Sequence, residues 1–281
     1  MVELGNAINI YLPEGNPTGI KICDINTSIV KGILIPRNKL KDISKFENLS
    51  FPGIYFLITD KEELNTFNVY VGEAEDLADR LATHDRLKPD WNKAIVFLSF
   101  KNNLNKAHYK FLENHCYNIA KGIDRFHINN ANNPSTSTLI PAERDLAFHF
   151  FEDLKIIMGT LGFPIFEELK RDKERYYLSF KNANATGSFS DEGFVVFNNS
   201  TANIEEQPSA TELPIHSLRQ KLIEEGVLKK EGDVYKFTKD YLFGSPSTAG
   251  AVVRGGNTNG WLVWKDNGGK SIDELKRKKL S

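Results

Sequence analysis

Apolar positions along this chain recur either at every second residue or at every third to fourth, and the changes of rhythm mark its elements. Over residues 6–40, short β-like runs at 8–11, 19–23 and 29–36 alternate with turn chemistry such as Pro13-Glu14-Gly15-Asn16-Pro17. They predict a strand-rich N-terminal segment over 1–48. Strands at 54–58 and 67–71 then flank a polar loop, as in a hairpin. A helix follows over 75–85, with Leu77 and Leu81 on its apolar stripe. The third strand, 94–100, is almost wholly apolar or aromatic and belongs at a sheet centre. A second helix over 105–121 is expected to close at Gly122. The asparagine-rich stretch 129–136 reads as a loop. Pro141 opens a long amphipathic helix to about 161, and a charged linker over 167–175 ends this central block, residues 49–166.

The last third, 172–281, reads as a small α+β domain. Strands are expected at 176–181 and 193–197, an unstructured polar stretch at 198–211, a helix at 216–225 and a hairpin over 227–238. Ser245-Pro246 has the chemistry of an N-cap followed by a first helical residue, predicting a short helix over 246–253. A final strand is expected at 261–264, then a basic tail, Lys276-Arg277-Lys278-Lys279. The fold class expected for the whole is α+β.

Composition places the 281 residues among globular proteins, with 40% hydrophobic and 26% charged. No apolar run is long enough to cross a bilayer, and the first residues lack a signal-peptide pattern. Cys23 and Cys116 are the only cysteines, widely spaced, which excludes a cysteine-based zinc site and suits a reducing compartment. A cytoplasmic location without membrane association is the expectation. Net charge is only -1, yet its distribution is uneven. Residues 60–85 hold eight acidic and two basic side chains, whereas 86–125 hold eight basic and three acidic ones. A local positive surface of this kind can bind phosphate, although solvated helix faces give the same counts.

Candidate chemistry concentrates in the central block. Gly53-Ile54-Tyr55 and Tyr70-Val71-Gly72 each place a tyrosine in a strand. Arg80 lies ten residues after Tyr70, His84 four after that, and Glu113 sits in the later helix. Arg80 and His84 share one helix face. Arg80 can clamp a phosphate oxygen through two donors, or pair with Asp76 one turn earlier. His84 titrates near neutrality and can relay a proton. A tyrosine is a weak base unless a neighbour takes its proton, and His84 is a candidate neighbour. Magnesium needs few protein carboxylates, so Glu113 alone suffices as ligand. Its competing role is an exposed pair with Lys110. Such a set suits metal-assisted phosphodiester hydrolysis.

These residues in this order resemble the GIY-YIG nuclease superfamily over roughly residues 50–135, with Val71 in place of the isoleucine of the second motif. The resemblance implies a three-stranded antiparallel sheet flanked by helices and one Mg2+ or Mn2+ at Glu113. It implies Tyr55 as base or water-positioner, His84 as proton relay, and Tyr70 and Arg80 on the scissile phosphate. A late asparagine supports the site in that family; here Asn130 and Asn132 both qualify. The implied activity is that of an endonuclease, with DNA the expected partner and a homodimer one route to duplex cleavage. A catalytically silent nucleic-acid-binding protein on the same scaffold is the alternative. Phe243-Gly244-Ser245-Pro246-Ser247-Thr248-Ala249, with Gly255 and Asn259-Gly260-Trp261, is similar to an uncharacterised module found fused to such domains. A helix N-terminus at Ser245 beside Trp261 and Trp264 would let it bind phosphate and stack a base, which makes it a candidate for substrate targeting. A capped helix with core tryptophans is the competing account.

Overall fold

Residues 53–58 are apolar at nearly every position, so a strand here must be covered on both faces. The computed structural model builds that arrangement; it describes residues 5–61, 66–88, 90–207 and 214–277. The chain divides into two compact units, with the boundary between Glu168 and Leu169. The first unit contains seven strands: β1 (Ile8–Tyr11), β2 (Lys21–Ile25), β3 (Val30–Pro36), β4 (Gly53–Lys61), β5 (Thr66–Ala74), β6 (Lys93–Ser99) and β7 (His127–Ile128). They form one sheet in the order β1-β2-β3-β6-β4-β5-β7. Every pairing is antiparallel except that of β5 with β7.

Two cores follow from the alternation of β4. Ile54, Phe56 and Ile58 point to one, with residues of helices α2 (Lys106–Ile123) and α3 (Pro141–Thr160). Tyr55 and Leu57 point to the other, with Leu77 and Leu81 of helix α1 (Leu77–Leu87) and Ile43 of a 3₁₀ segment, Arg37–Lys45. The α+β class is therefore that of a helix-covered sheet. It is wider than three strands because β3 pairs with β6 over seven positions, from Val30 opposite Ser99 to Pro36 opposite Lys93. The N-terminal strands thus extend the central sheet instead of standing apart from it. Asp76 is used as the N-cap of α1, accepting the Asp79 N–H at 2.9 Å, so it is not the partner of Arg80. Helix α2 runs past Gly122 and ends on Asp124, which takes the left-handed conformation at φ 50°.

The second unit has β8 (Tyr176–Phe180), β9 (Ala183–Ser190), β10 (Gly193–Val196), β11 (Thr201–Asn203), β12 (Leu228–Glu231), β13 (Val234–Phe237) and β14 (Tyr241–Phe243). Its two sheets have the orders β14-β10-β9-β8 and β11-β13-β12. Helices α4 (Pro214–Glu224), α5 (Pro246–Arg254) and α6 (Gly260–Val263) complete it, with a final π-helical turn at Asp273–Arg277. Strand β9, absent from the sequence expectation, is central to its sheet. Its small residues disguise it: Gly187 leaves room for the Phe194 ring, which a Cβ would meet at 2.6 Å. The expected polar stretch contains β11, and its residues 208–211 lie outside the described residues. The strand expected at 261–264 is instead the short helix α6, because Asn259 caps it by accepting the Trp261 N–H at 3.1 Å. Of the basic tail, 278 and 279 lie outside the described residues. Arg219 of α4 is fully buried and ties the unit together. It donates to the Glu206 carboxylate at 3.0 Å, to the Asn203 carbonyl at 2.5 Å and to the Val252 carbonyl near the end of α5. Among the described residues, no helix is long and apolar enough to cross a membrane.

Candidate active site

Antiparallel register places the two motif tyrosines together. Tyr55 lies opposite Gly72 and Leu57 opposite Tyr70, so the phenols are diagonal neighbours on one face of the sheet. Their ring centroids are 6.2 Å apart. The motif glycines have steric roles in this packing. A Cβ on Gly72 would overlap the hydroxyl end of Tyr55, and one on Gly53 would meet Leu77 and the Phe97 carbonyl within 2.7 Å. Helix α1 packs over the same face and brings Arg80 and His84, one turn apart, onto the phenols.

The result is a hydrogen-bonded chain. Arg80 Nε donates to the Tyr55 hydroxyl oxygen at 3.0 Å, and that hydroxyl lies 2.8 Å from His84 Nε2. Arg80 can only donate, so the Tyr55 oxygen accepts from it, and a neutral His84 with an unprotonated Nε2 can take the Tyr55 proton. Burial, reinforced by the nearby Lys88 and Arg80 charges, holds the His84 pKa down at about 4 and keeps the ring neutral. Burial raises the Tyr55 pKa above the normal phenol value, as does the Tyr70 phenol, while Arg80 opposes both. Tyr55 is wholly buried and Tyr70 half-buried, whereas Arg80 is exposed at the rim.

Glu113 comes from α2, the helix on the opposite face of the sheet, and lies beside the end of β5. The Glu73 backbone N–H donates to its carboxylate. Burial, with the Glu73 charge adding to it, pushes the Glu113 pKa up to about 7, against the pull of Arg80 and Lys110. Burial likewise raises Glu73. The Arg80 charge acts on both phenols and both carboxylates. An open cleft of about 430 Å³ at this end of the sheet is lined by Glu73, Glu75, Asp76, Asp79, Arg80 and Lys106, among others. Among the described residues, no group of three or more His, Cys, Asp or Glu converges as a cation site. The carboxylates that could reach a cation here are Glu113 and Glu73 beside it, and a hard cation held by them would take its other ligands from water or substrate oxygens.

The two late asparagines separate clearly. Asn130 binds the backbone of Val71 at two points: its Oδ1 accepts the Val71 N–H at 3.0 Å, and its Nδ2 donates to the Val71 carbonyl at 2.8 Å. It thereby holds the residue next to Tyr70, continuing the pairing begun where the Asn129 N–H donates to the Val69 carbonyl. Asn132 is exposed in the loop. The structure also brings in two residues that the sequence reading passed over. Glu73 directly follows Gly72. Lys88 follows His84 at the same four-residue interval that separates Arg80 from His84, a spacing that marks it in retrospect.

In the second unit, the serine-proline motif is engaged internally. Ser245 Oγ accepts the Thr248 N–H at 3.1 Å, and Ser247 Oγ accepts the Gly260 N–H at 3.1 Å. Gly260 packs so tightly on Pro246 that a Cβ would overlap its carbonyl. Trp264 is fully buried, donates through Nε1 to the Pro246 carbonyl at 3.0 Å and packs on Phe194. Full burial takes Trp264 out of base stacking, and together these contacts lock α5 to α6. Trp261 is half-buried near Phe189.

No curated protein and no solved structure matches the chain. Residues 176–276, most of the second unit and well under half of the chain, match the family described as a domain of unknown function, DUF4357.

Proposed function

We propose that this protein is a metal-dependent endonuclease that hydrolyses phosphodiester bonds of nucleic acid, with DNA the expected substrate and a GIY-YIG-type core as its catalytic unit. The observation that carries this reading is the Arg80–Tyr55–His84 chain, with Arg80 also acting on Glu113. The antiparallel set β5-β4-β6 within the larger sheet supports the same reading. The attacking water gives its proton to the Tyr55 oxygen as the Tyr55 proton moves to His84 Nε2, in one concerted step that forms no free phenolate, which the raised phenol and lowered imidazole disfavour. Arg80 places positive charge where a non-bridging phosphate oxygen would lie, and Tyr70 helps orient that phosphate. Glu113 would hold a divalent cation, which when bound neutralises charge at phosphorus and on the departing oxygen. Asn130 keeps the Tyr70 strand in register.

The test is nicking of supercoiled plasmid, with single-stranded DNA and RNA in parallel. Cleavage is expected with Mg2+ or Mn2+ and none in EDTA. Binding without cleavage under all conditions supports the catalytically silent alternative, which the full burial of Tyr55 favours.

The neutral state of His84 has a thermodynamic signature. Its folded pKa, about 4, lies below the usual 6.5, so between those values the unfolded chain binds more protons. This contribution to stability is complete above pH 6.5 and is lost as pH falls through about 4. Glu113 acts with the opposite sign between 4.5 and about 7, so the wild-type curve mixes the two. The difference between wild type and His84→Gln, followed by denaturant midpoints from pH 4 to 7, is expected to rise with pH. A flat difference would remove the buried neutral imidazole from the account.

A further inference from the structure

Lys88 lies at the C-terminal cap of α1, where its backbone N–H donates to the His84 carbonyl at 2.9 Å. Its ammonium sits 3.4 Å from the centroid of the Tyr70 ring, over the ring face. The Tyr70 ring is in turn 5.6 Å from the His84 ring and 6.2 Å from that of Tyr55. Arg80 and His84 share one stripe of α1, and Lys88, in extended conformation at its C-cap, follows at the same four-residue interval. Two of them are permanent cations at neutral pH, and among the described residues neither has a carboxylate within ion-pair distance. Burial and the Arg80 charge both lower the Lys88 pKa, so the two cations are held close at an electrostatic cost. Other cations of this unit, such as Lys31, Arg37 and Lys93, do reach a carboxylate, in the pairs Lys31–Glu47, Arg37–Asp85 and Lys93–Asp60. Lys88 over the Tyr70 ring and Arg80 beside the phenols put two positive charges at one edge of the site, an arrangement that suits an anion with more than one charged group.

We infer that Lys88 binds a backbone phosphate adjoining the one held by Arg80 and Tyr70, setting the register of the nucleic-acid strand across the Tyr70 ring. The inference rests on the nuclease reading and adds a substrate contact to it. A lysine suits this role because a flanking phosphate needs a point charge, not the bidentate geometry supplied by Arg80. Lys88 also lies against the Tyr70 ring, so charge and packing must be separated in the test. Lys88→Met keeps the stem and removes the charge.

The experiment measures binding of oligonucleotides by the full chain in EDTA, across a range of salt. Each neutralised phosphate contributes about 0.9 to the slope of log K against log salt for duplex and about 0.7 for a single strand. Lys88→Met is expected to lower the slope by that one increment. A second arm replaces single phosphates by neutral methylphosphonates, one position at a time. One position next to the scissile phosphate should weaken the wild type and leave Lys88→Met unaffected. An unchanged slope, with or without a fall in cleavage rate, would make Lys88 a support for Tyr70 and overturn the inference. Sensitivity to every methylphosphonate that is the same in wild type and variant would overturn it too. Failure of the wild type itself to bind any nucleic acid would remove the nuclease reading along with it, and that outcome is distinct from the other two.

Discussion

Replacing Glu113 by glutamine is expected to reduce cleavage by about 10³-fold or more while leaving nucleic-acid affinity within a few-fold of the wild type. Loss of several kcal/mol of charge stabilisation in the transition state corresponds to that range. The substitution suits the question because the site already favours the uncharged form: burial and Glu73 push the Glu113 carboxyl up to about 7. Glutamine mimics that neutral form, so the thermal midpoint should hold or rise. Plasmid nicking across a Mg2+ titration, fluorescence anisotropy for binding and thermal unfolding give the three readouts. Cleavage at the wild-type rate would exclude Glu113 as the cation ligand. A collapse of stability would mean that Glu113 is there to hold α2 against β5.

The second large effect is expected at Tyr55. Phenylalanine fills the same buried space but removes the oxygen that links Arg80 to His84, and turnover should fall by about 10² to 10⁴, the usual span for general acid–base groups. Because the two side chains act as a unit, Tyr55→Phe and His84→Gln combined should cost about as much as the worse single change. Additive losses would separate their roles. A Tyr55→Phe protein with full activity would transfer water activation to Tyr70, which is nearer solvent.

Much of this arrangement was legible in the linear text for a simple reason. The motif residues sit on strands and one helix whose periodicities are strong, and a period-two strand fixes which face Tyr55 must share with Leu57. The i, i+4 spacing of Arg80 and His84 likewise fixes their common direction. What was illegible depends on pairing across long separations. Nothing local in Val30–Pro36 says that it pairs with Lys93–Ser99, so the N-terminal strands read as a separate segment. Strand β9 escaped because Ala183–Ser190 is mostly small residues, among them Gly187, whose value lies in the room it leaves for Phe194. The tryptophans of the second unit gave an ambiguous signal: burial and stacking surfaces use the same side chains, and only the bond from Trp264 to Pro246 decides for burial.

The two-point grip of Asn130 on Val71 has one more effect. A primary amide presents a donor and an acceptor side by side, as a neighbouring strand would. Beyond the two residues of β7, it therefore occupies backbone groups of β5 that would otherwise invite a foreign strand. Among the described residues, the other margin, at β1, has no such cover from a partner strand and shows Ile10 and Tyr11 to solvent. Unwanted intermolecular β-pairing, such as that seeding aggregates on storage, would begin at that far margin and leave the tyrosine-bearing end intact.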